Sequence, residues 1–325
     1  MNQLYTNTLN ISLPLAVFLA TDDYDYVPNT ISATTLLKPI RQWVLTKRVS
    51  PTDALRDVSS LVSSRMGSAL HTALEHAWDE PTNALKALGY PDKVIERILI
   101  NPKPEELKPD SIPIYKEQRS FKKLGKHTIS GKFDFVAEGQ VHDYKSTSVY
   151  SYLNQTNEDK WILQGSIYRW LNPEIITRDT LAIHFIFTDW SKASASQDPK
   201  YPQSRVHSKI LKLLSLEETE AYIQAKLKEY EKFLKADEDK IPFCTDEELW
   251  RKPTTYKYYR DPSKTQRSTK NFETSAEAYK RFHEDGATGL VKEVKGGVSA
   301  CKHCSAFTVC SQKDAYIHSG ELTLD

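Results

Sequence analysis

The stretch His127–Ser148, HTISGKFDFVAEGQVHDYKSTS, decides how this chain is read. β-Branched and aromatic residues alternate with polar ones on either side of Gly139-Gln140, the pattern of two strands joined by a turn. Just upstream, YKEQRSF (residues 115–121) has the same alternation, and Gly125 marks a turn between them. Downstream, DKWILQGSIYRWL (159–171) has helical spacing and ends at Asn172-Pro173, because proline cannot continue a helix. LAIHFIFTDW (181–190) then reads as a buried strand. Strands, helix and strand in that order predict an α/β core.

Further out, Ser32 is placed to cap a helix through ATTLLKPIRQWVLTKR. A second amphipathic helix runs from about Asp57 to Trp78, with Leu61, Ala69, Leu70, Ala73, Leu74 and Ala77 able to share a buried side. Pro81, Pro91, Pro102, Pro104, Pro109 and Pro113 punctuate a loop-rich passage after it. LEETEAYIQAKLKEYEKFLKA (216–236) is a periodic charged helix opened by acids. The expected organisation is a helical N-terminal part (1–110), an α/β core (111–215) and a C-terminal region (216–325) of helix plus cysteines.

Composition narrows the function classes. In 325 residues, Lys+Arg 44 stand against Asp+Glu 43, so any nucleic-acid surface must arise from local sorting of charge. The apolar run ISLPLAVFLA (11–20) is far short of the roughly 20 residues a membrane helix needs. No Lys or Arg precedes it and the acidic TDDYDY follows, unlike an export signal, so a cytoplasmic protein is expected, with no membrane partner.

Chemistry concentrates in two places. Asp143 and Lys145 are two apart on a predicted strand and so share a face, and Asp134 comes beside them across the turn. Carboxylates that converge repel one another unless a cation neutralises them, and hard oxygen donors suit Mg²⁺ or Mn²⁺. An isolated Asp-x-Lys is more often a solvated charge pattern. His71, followed by Glu75 one helical turn later, and Gln164 with Tyr168 change that weighting.

The second place is CKHCSAFTVC (301–310). Cys301, Cys304 and Cys310 lie close in sequence, and Cys244, the fourth cysteine of the chain, completes a set of four thiolates. Such a set suits either tetrahedral Zn²⁺ or an iron–sulfur cluster. Between Cys244 and that loop, residues 251–270 carry seven cations against the single acid Asp261, a local charge of +6. Lys257, Arg260 and Arg267 are interleaved there with Tyr256, Tyr258 and Tyr259, a pattern for following phosphates and stacking on bases.

The ordered set Gly67-xxx-His71, Gly131-xx-Asp134, Asp143-Tyr144-Lys145 and Gln164-xxx-Tyr168 resembles the RecB-type branch of the PD-(D/E)XK nucleases. The opening ISATTLLKPIRQWVLTKR, SRMGSALH and FTDW look most like phage-encoded members. The resemblance implies a restriction-endonuclease-like core, a central mixed sheet flanked by helices. It implies that His71, Asp134, Asp143 and the carbonyl of Tyr144 hold the metal, that Lys145 is catalytic, and that Gln164 and Tyr168 border the DNA path. Glu117 matches the acid that some members carry on the preceding strand. Cys-x2-Cys-x5-Cys after such a core is similar to the [4Fe-4S] staple of AddB, exonuclease V and the CRISPR adaptation nucleases. Several of those place the first cysteine ahead of the nuclease motifs, whereas Cys244 follows them.

The function expected is metal-dependent exonucleolytic hydrolysis of DNA from single-stranded ends. Its rivals are a structure-specific endonuclease, an end trimmer like those of CRISPR adaptation, and a non-catalytic DNA-binding module stapled by zinc.

Overall fold

The computed structural model describes residues 4–21, 25–50, 55–154 and 157–324; Asp22, Asp23 and Tyr24 of the acidic TDDYDY stretch lie outside them. In chain order the elements that position the site are β1 (Ile31–Ser32), α1 (Ala33–Leu36), α2 (Ile40–Thr46), α3 (Val62–Ala77), β2 (Ile98–Ile100), β3 (Ile112–Lys116), β4 (Arg119–Leu124), β5 (His127–Lys132), β6 (Phe135–Ala137), β7 (Gln140–Thr147), α4 (Glu158–Leu171), β8 (Thr180–Phe187), β9 (Val206–Lys212), α5 (Leu216–Phe233), β10 (Thr255–Tyr259), β11 (Lys270–Phe272), α6 (Ser275–Glu284) and β12 (Leu290–Val294). The chain forms two compact units, one of Asn2–Lys38 and Leu55–Lys228, the other of Pro39–Ala54 and Glu229–Asp325.

The first unit is mixed α/β. Six strands form one sheet in the order β9-β8-β7-β6-β3-β2, and β1-β5-β4 form a second. β7 and β8 run parallel, as do β2 and β3, while the other neighbours in the larger sheet are antiparallel. Val141, Leu181, Ile183, Phe185 and Ile167 are buried in the core. The turn between β6 and β7 has Glu138 and Gly139 at φ 49° and 74°, the left-handed pair that a two-residue hairpin turn requires.

The predicted strands are more broken than their alternation suggests. YKEQRSF divides at Glu117-Gln118, and HTISGKFDFVAEG divides at Phe133-Asp134. β3 with β6, and β4 with β5, are two halves of one long hairpin that changes sheets at these breaks. The Glu117 amide donates to the Asp134 carbonyl (3.0 Å) and the Phe133 amide to the Gln118 carbonyl (3.3 Å), so the chain pairs through the bend. Glu117 bends it with φ 51°, a left-handed conformation uncommon for a residue with a Cβ.

Two helical expectations also change. Ser32 does cap a helix, accepting from the Thr35 amide at 3.2 Å, but α1 ends at Leu36 and a new helix begins after Pro39, whose ring cannot sit in a helix interior. In α3 no residue is fully buried, and Ala69, Ala73 and Ala77 are exposed. Gly67, His71 and Glu75 instead line a cleft, so the inward side of this helix meets a polar opening rather than a core.

The second unit joins α2 to the C-terminal region. Trp43 stacks on Tyr230 with ring centroids 4.1 Å apart, and Arg48 donates to the Ala236 carbonyl at 2.6 Å. β11-β10-β12 form an antiparallel sheet beside α6. Among the described residues, no helix is long and apolar enough to cross a membrane.

Candidate metal centre and cysteine cluster

The bend in the long hairpin puts Glu117 and Asp134 opposite each other, and α3 brings His71 to them. Ligand atoms of His71, Glu117 and Asp134 lie within 4.8 Å of one another. His71 Nε2 is 2.8 Å from the Tyr144 carbonyl oxygen, and Nδ1 is 3.2 Å from Asp134 Oδ2. Both ring nitrogens therefore face acceptors. The hydrogen bond to Asp134 raises the His71 pKa above the usual histidine value, against the opposing effect of burial.

Asp143 and Lys145 share a face, as a pleat with period two requires. Lys145 Nζ lies 2.8 Å from Asp143 Oδ2. That ammonium is the partner of the buried Oδ2, which makes no other polar contact. Burial pushes the Asp143 carboxyl up, with Lys145 opposing. Burial alone would pull Lys145 down, but the charge of Asp143 outweighs it and the amine is held as an ammonium. Glu117, pushed up by burial, pairs with Lys132 at 2.6 Å.

His71, Glu117, Lys132, Asp134, Tyr144 and Lys145 border a cleft of about 1040 Å³ that also touches Phe18, Arg65 and Arg119, while Asp143 is buried and does not line it. Sequence patterns did not point to Lys132, Arg65 or Arg119, because single cations on exposed-looking segments carry no local signal. Asp143 stands outside the three-donor grouping, and Glu117 stands inside it. The donor chemistry fits a hard divalent cation: carboxylates, a carbonyl and an imidazole converge, and beside them the buried Asp143 Oδ2 is held by its ion pair with Lys145.

Gln164 donates to the Tyr168 hydroxyl at 2.8 Å, and Tyr168 is mostly buried at the wall of the cleft. Its ring packs on Gly131: a Cβ there would lie 3.0 Å from Tyr168 and 2.6 Å from Leu171 Cδ1. The glycine of the Gly131-xx-Asp134 motif is thus a spacer that lets α4 close on β5. Gly131→Ala is expected to lower stability by about 1–3 kcal/mol through overpacking, read as an earlier urea midpoint.

The four cysteines all lie in the second unit and none is in a disulfide. Cys301 belongs to a small core with Leu249, Val298 and Leu322, against which Cys244, Phe307 and Tyr316 pack. Gln312 holds Cys244 by its backbone, accepting from the amide (2.9 Å) and donating to the carbonyl (3.0 Å). Burial, then Glu248 and the other three thiols, push Cys244 up to about 12, and burial with Cys304 and Cys310 pushes Cys301 up to about 11. Cys244 thus packs against the small core that contains Cys301, and four sulfurs without a disulfide are a donor set for a soft metal or a cluster.

The basic segment is not the open loop that its composition suggests. Lys257 lies on β10 opposite Asn271 and Lys292, and Arg260 and Arg267 are exposed beyond the strand. Tyr258 and Tyr259 are buried, and Tyr258 donates to Asp285 Oδ2 at 2.9 Å. These two rings build the core of the small sheet and are not free to stack on bases. Arg260 is 3.2 Å from the same Asp285.

No protein-family model matches the chain, and no curated protein sequence does. Among solved structures the chain is similar to SSO0001, with 15% identity and a TM-score of 0.39, covering 66% of this chain and 83% of that one. It is also similar to a phage-related exonuclease from Haemophilus somnus 129PT, with 14% identity and a TM-score of 0.29, covering 63% of this chain and 95% of that one. Likenesses this distant leave the assignment of function to the residues themselves.

Proposed function

We propose that this chain is a Mg²⁺- or Mn²⁺-dependent deoxyribonuclease of the RecB-type PD-(D/E)XK kind, acting as an exonuclease on DNA with single-stranded ends. The observation that carries the proposal is the convergence of His71, Glu117 and Asp134 on one cleft with Lys145, which the buried Asp143 anchors. His71, Asp134, Asp143 and the Tyr144 carbonyl would hold the cation, with Glu117 as a further acid. A bound divalent cation makes water more acidic and offsets charge on a phosphate.

The protein's own groups supply the rest. Lys145, kept charged by Asp143, is aimed to orient the attacking water and to offset charge developing on the phosphate oxygens. Asp143 fixes that ammonium. Tyr168, set by Gln164, and the cations Arg65, Arg119 and Lys132 border the space for the strand. The half-buried Lys257 and the exposed Arg260 and Arg267 are a second set of phosphate contacts in this reading.

We assign the four cysteines to a structural [4Fe-4S] cluster, since hydrolysis moves no electrons.

The test is digestion of end-labelled linear DNA and closed circular single strands, with Mg²⁺, Mn²⁺ or chelator. Linear DNA with a single-stranded end is expected to be degraded only with metal, and circles to resist. Equal cutting of circles would make the chain an endonuclease, and no cutting under any condition would leave a DNA-binding module.

A further inference from the structure

Arg41 is 1% exposed, though an arginine is among the most expensive side chains to bury. Every nitrogen of its guanidinium is engaged. Nη1 donates to the carbonyls of Ile241 (3.0 Å) and Glu238 (3.2 Å), and Nη2 donates to Glu238 Oε1 and to Ser311 Oγ (3.2 Å). The remaining donor, Nε, points at Cys310 Sγ from 3.3 Å. Phe243 covers the group, with its ring centroid 5.0 Å from the guanidinium carbon.

Glu238 completes a bracket around the same cysteine. Its Oε1 accepts from the amide of Ser311 at 2.7 Å and from the Ser311 hydroxyl at 2.8 Å. Arg41 thus reaches the sulfur of Cys310 while its ionic partner holds the next residue of the chain. A neutral thiol is a weak acceptor, and a buried guanidinium N–H spent on one would be poorly used; a thiolate is a strong acceptor, and the contact then becomes charge-assisted. α2 also meets this loop at Thr46, whose Oγ1 is 2.7 Å from Ser305 Oγ.

We propose that Arg41 is a positioning residue for the group held by the four thiolates. It fixes Cys310 as a ligand, offsets the negative charge gathered at the site, and thereby couples loading of the cysteines to the docking of α2, which lies some two hundred residues earlier in the chain. This rests on the reading of the cysteines as a metal or cluster site. It is independent of the carboxylate site.

The test compares the full-length parent, Arg41→Lys, Arg41→Met and Glu238→Gln, each purified without oxygen. Iron, sulfide and zinc content, the visible spectrum, the reduction midpoint and the rate of metal loss to a chelator are measured. Both Arg41 variants are expected to lose the group about 10–100 times faster than the parent, as outer-shell changes do. The retained fraction should have a more negative midpoint, because an N–H to sulfur contact no longer draws off charge. Glu238→Gln keeps the contact to sulfur and is expected to keep the parent midpoint. Parent-like loss rate and midpoint in Arg41→Lys and Arg41→Met would overturn the proposal. So would equal effects of Arg41→Met and Glu238→Gln on folding with an unchanged midpoint, which is the outcome of packing alone. Should Arg41→Met not fold, Arg41→Lys decides by the same measurements. A parent with zinc and no iron refutes the cluster reading only, and zinc loss then tests Arg41; a parent with no metal overturns both.

Discussion

Lys145→Met is expected to lower the cleavage rate about 10²–10³-fold, the usual cost of removing one donor aimed at developing charge. Asp143→Asn should do at least as much, since under the proposed function it removes a metal-holding acid and the anchor of the lysine together. The two variants should differ in folding. Without Lys145, the buried Asp143 loses the cation that opposes its upward pKa shift. Asp143 then keeps its proton to higher pH in the folded chain than in the unfolded one. Folded protein binds more protons across that window, so stability is greatest below the ordinary carboxylate range and falls as pH rises through it. Urea midpoints of Lys145→Met at pH 5 and pH 8 should therefore separate more widely than those of the parent. The double variant should regain stability without activity. Near-normal turnover by either single variant would remove both residues from the catalytic assignment.

Cys304→Ser is expected to abolish the brown colour of protein purified without oxygen and to loosen the second unit. The reason is the thinness of its core near the cysteines: Leu249, Val298, Cys301 and Leu322 are the buried members of that cluster. At a site of this kind, ligand binding energy is folding energy. Proteolysis should open the chain between Cys244 and Cys310 in the variant while leaving residues 55–228 resistant. A colourless parent with one equivalent of zinc would replace the cluster by zinc and leave the nuclease assignment standing. A variant that keeps its iron and its protease resistance would remove Cys304 from the ligand set.

Much of the core was legible because its signals are local. The alternation in residues 127–147, the left-handed hairpin turn at Glu138-Gly139 and the stop of α4 before Pro173 are properties of neighbouring residues. So is the shared face of Asp143 and Lys145, which follows from the two-residue period of a strand. The α3 pattern misled for a related reason. An amphipathic stripe records that one side turns inward, and it reads the same whether that side meets a core or a polar cleft.

What only the tertiary structure decided is which distant groups meet. Glu117 and Asp134 face each other because the long hairpin bends where Glu117 takes φ 51°, and no composition rule marks a non-glycine residue for that conformation. His71 reaches Asp134 and the Tyr144 carbonyl from another element, and Arg41 reaches Cys310 across 269 positions. The residue types, their order and their faces were set by the sequence, because the backbone's periods are short. Distances and burial were set by the fold, because register, the bend and the docking of α2 arise only when elements far apart in the chain pack together.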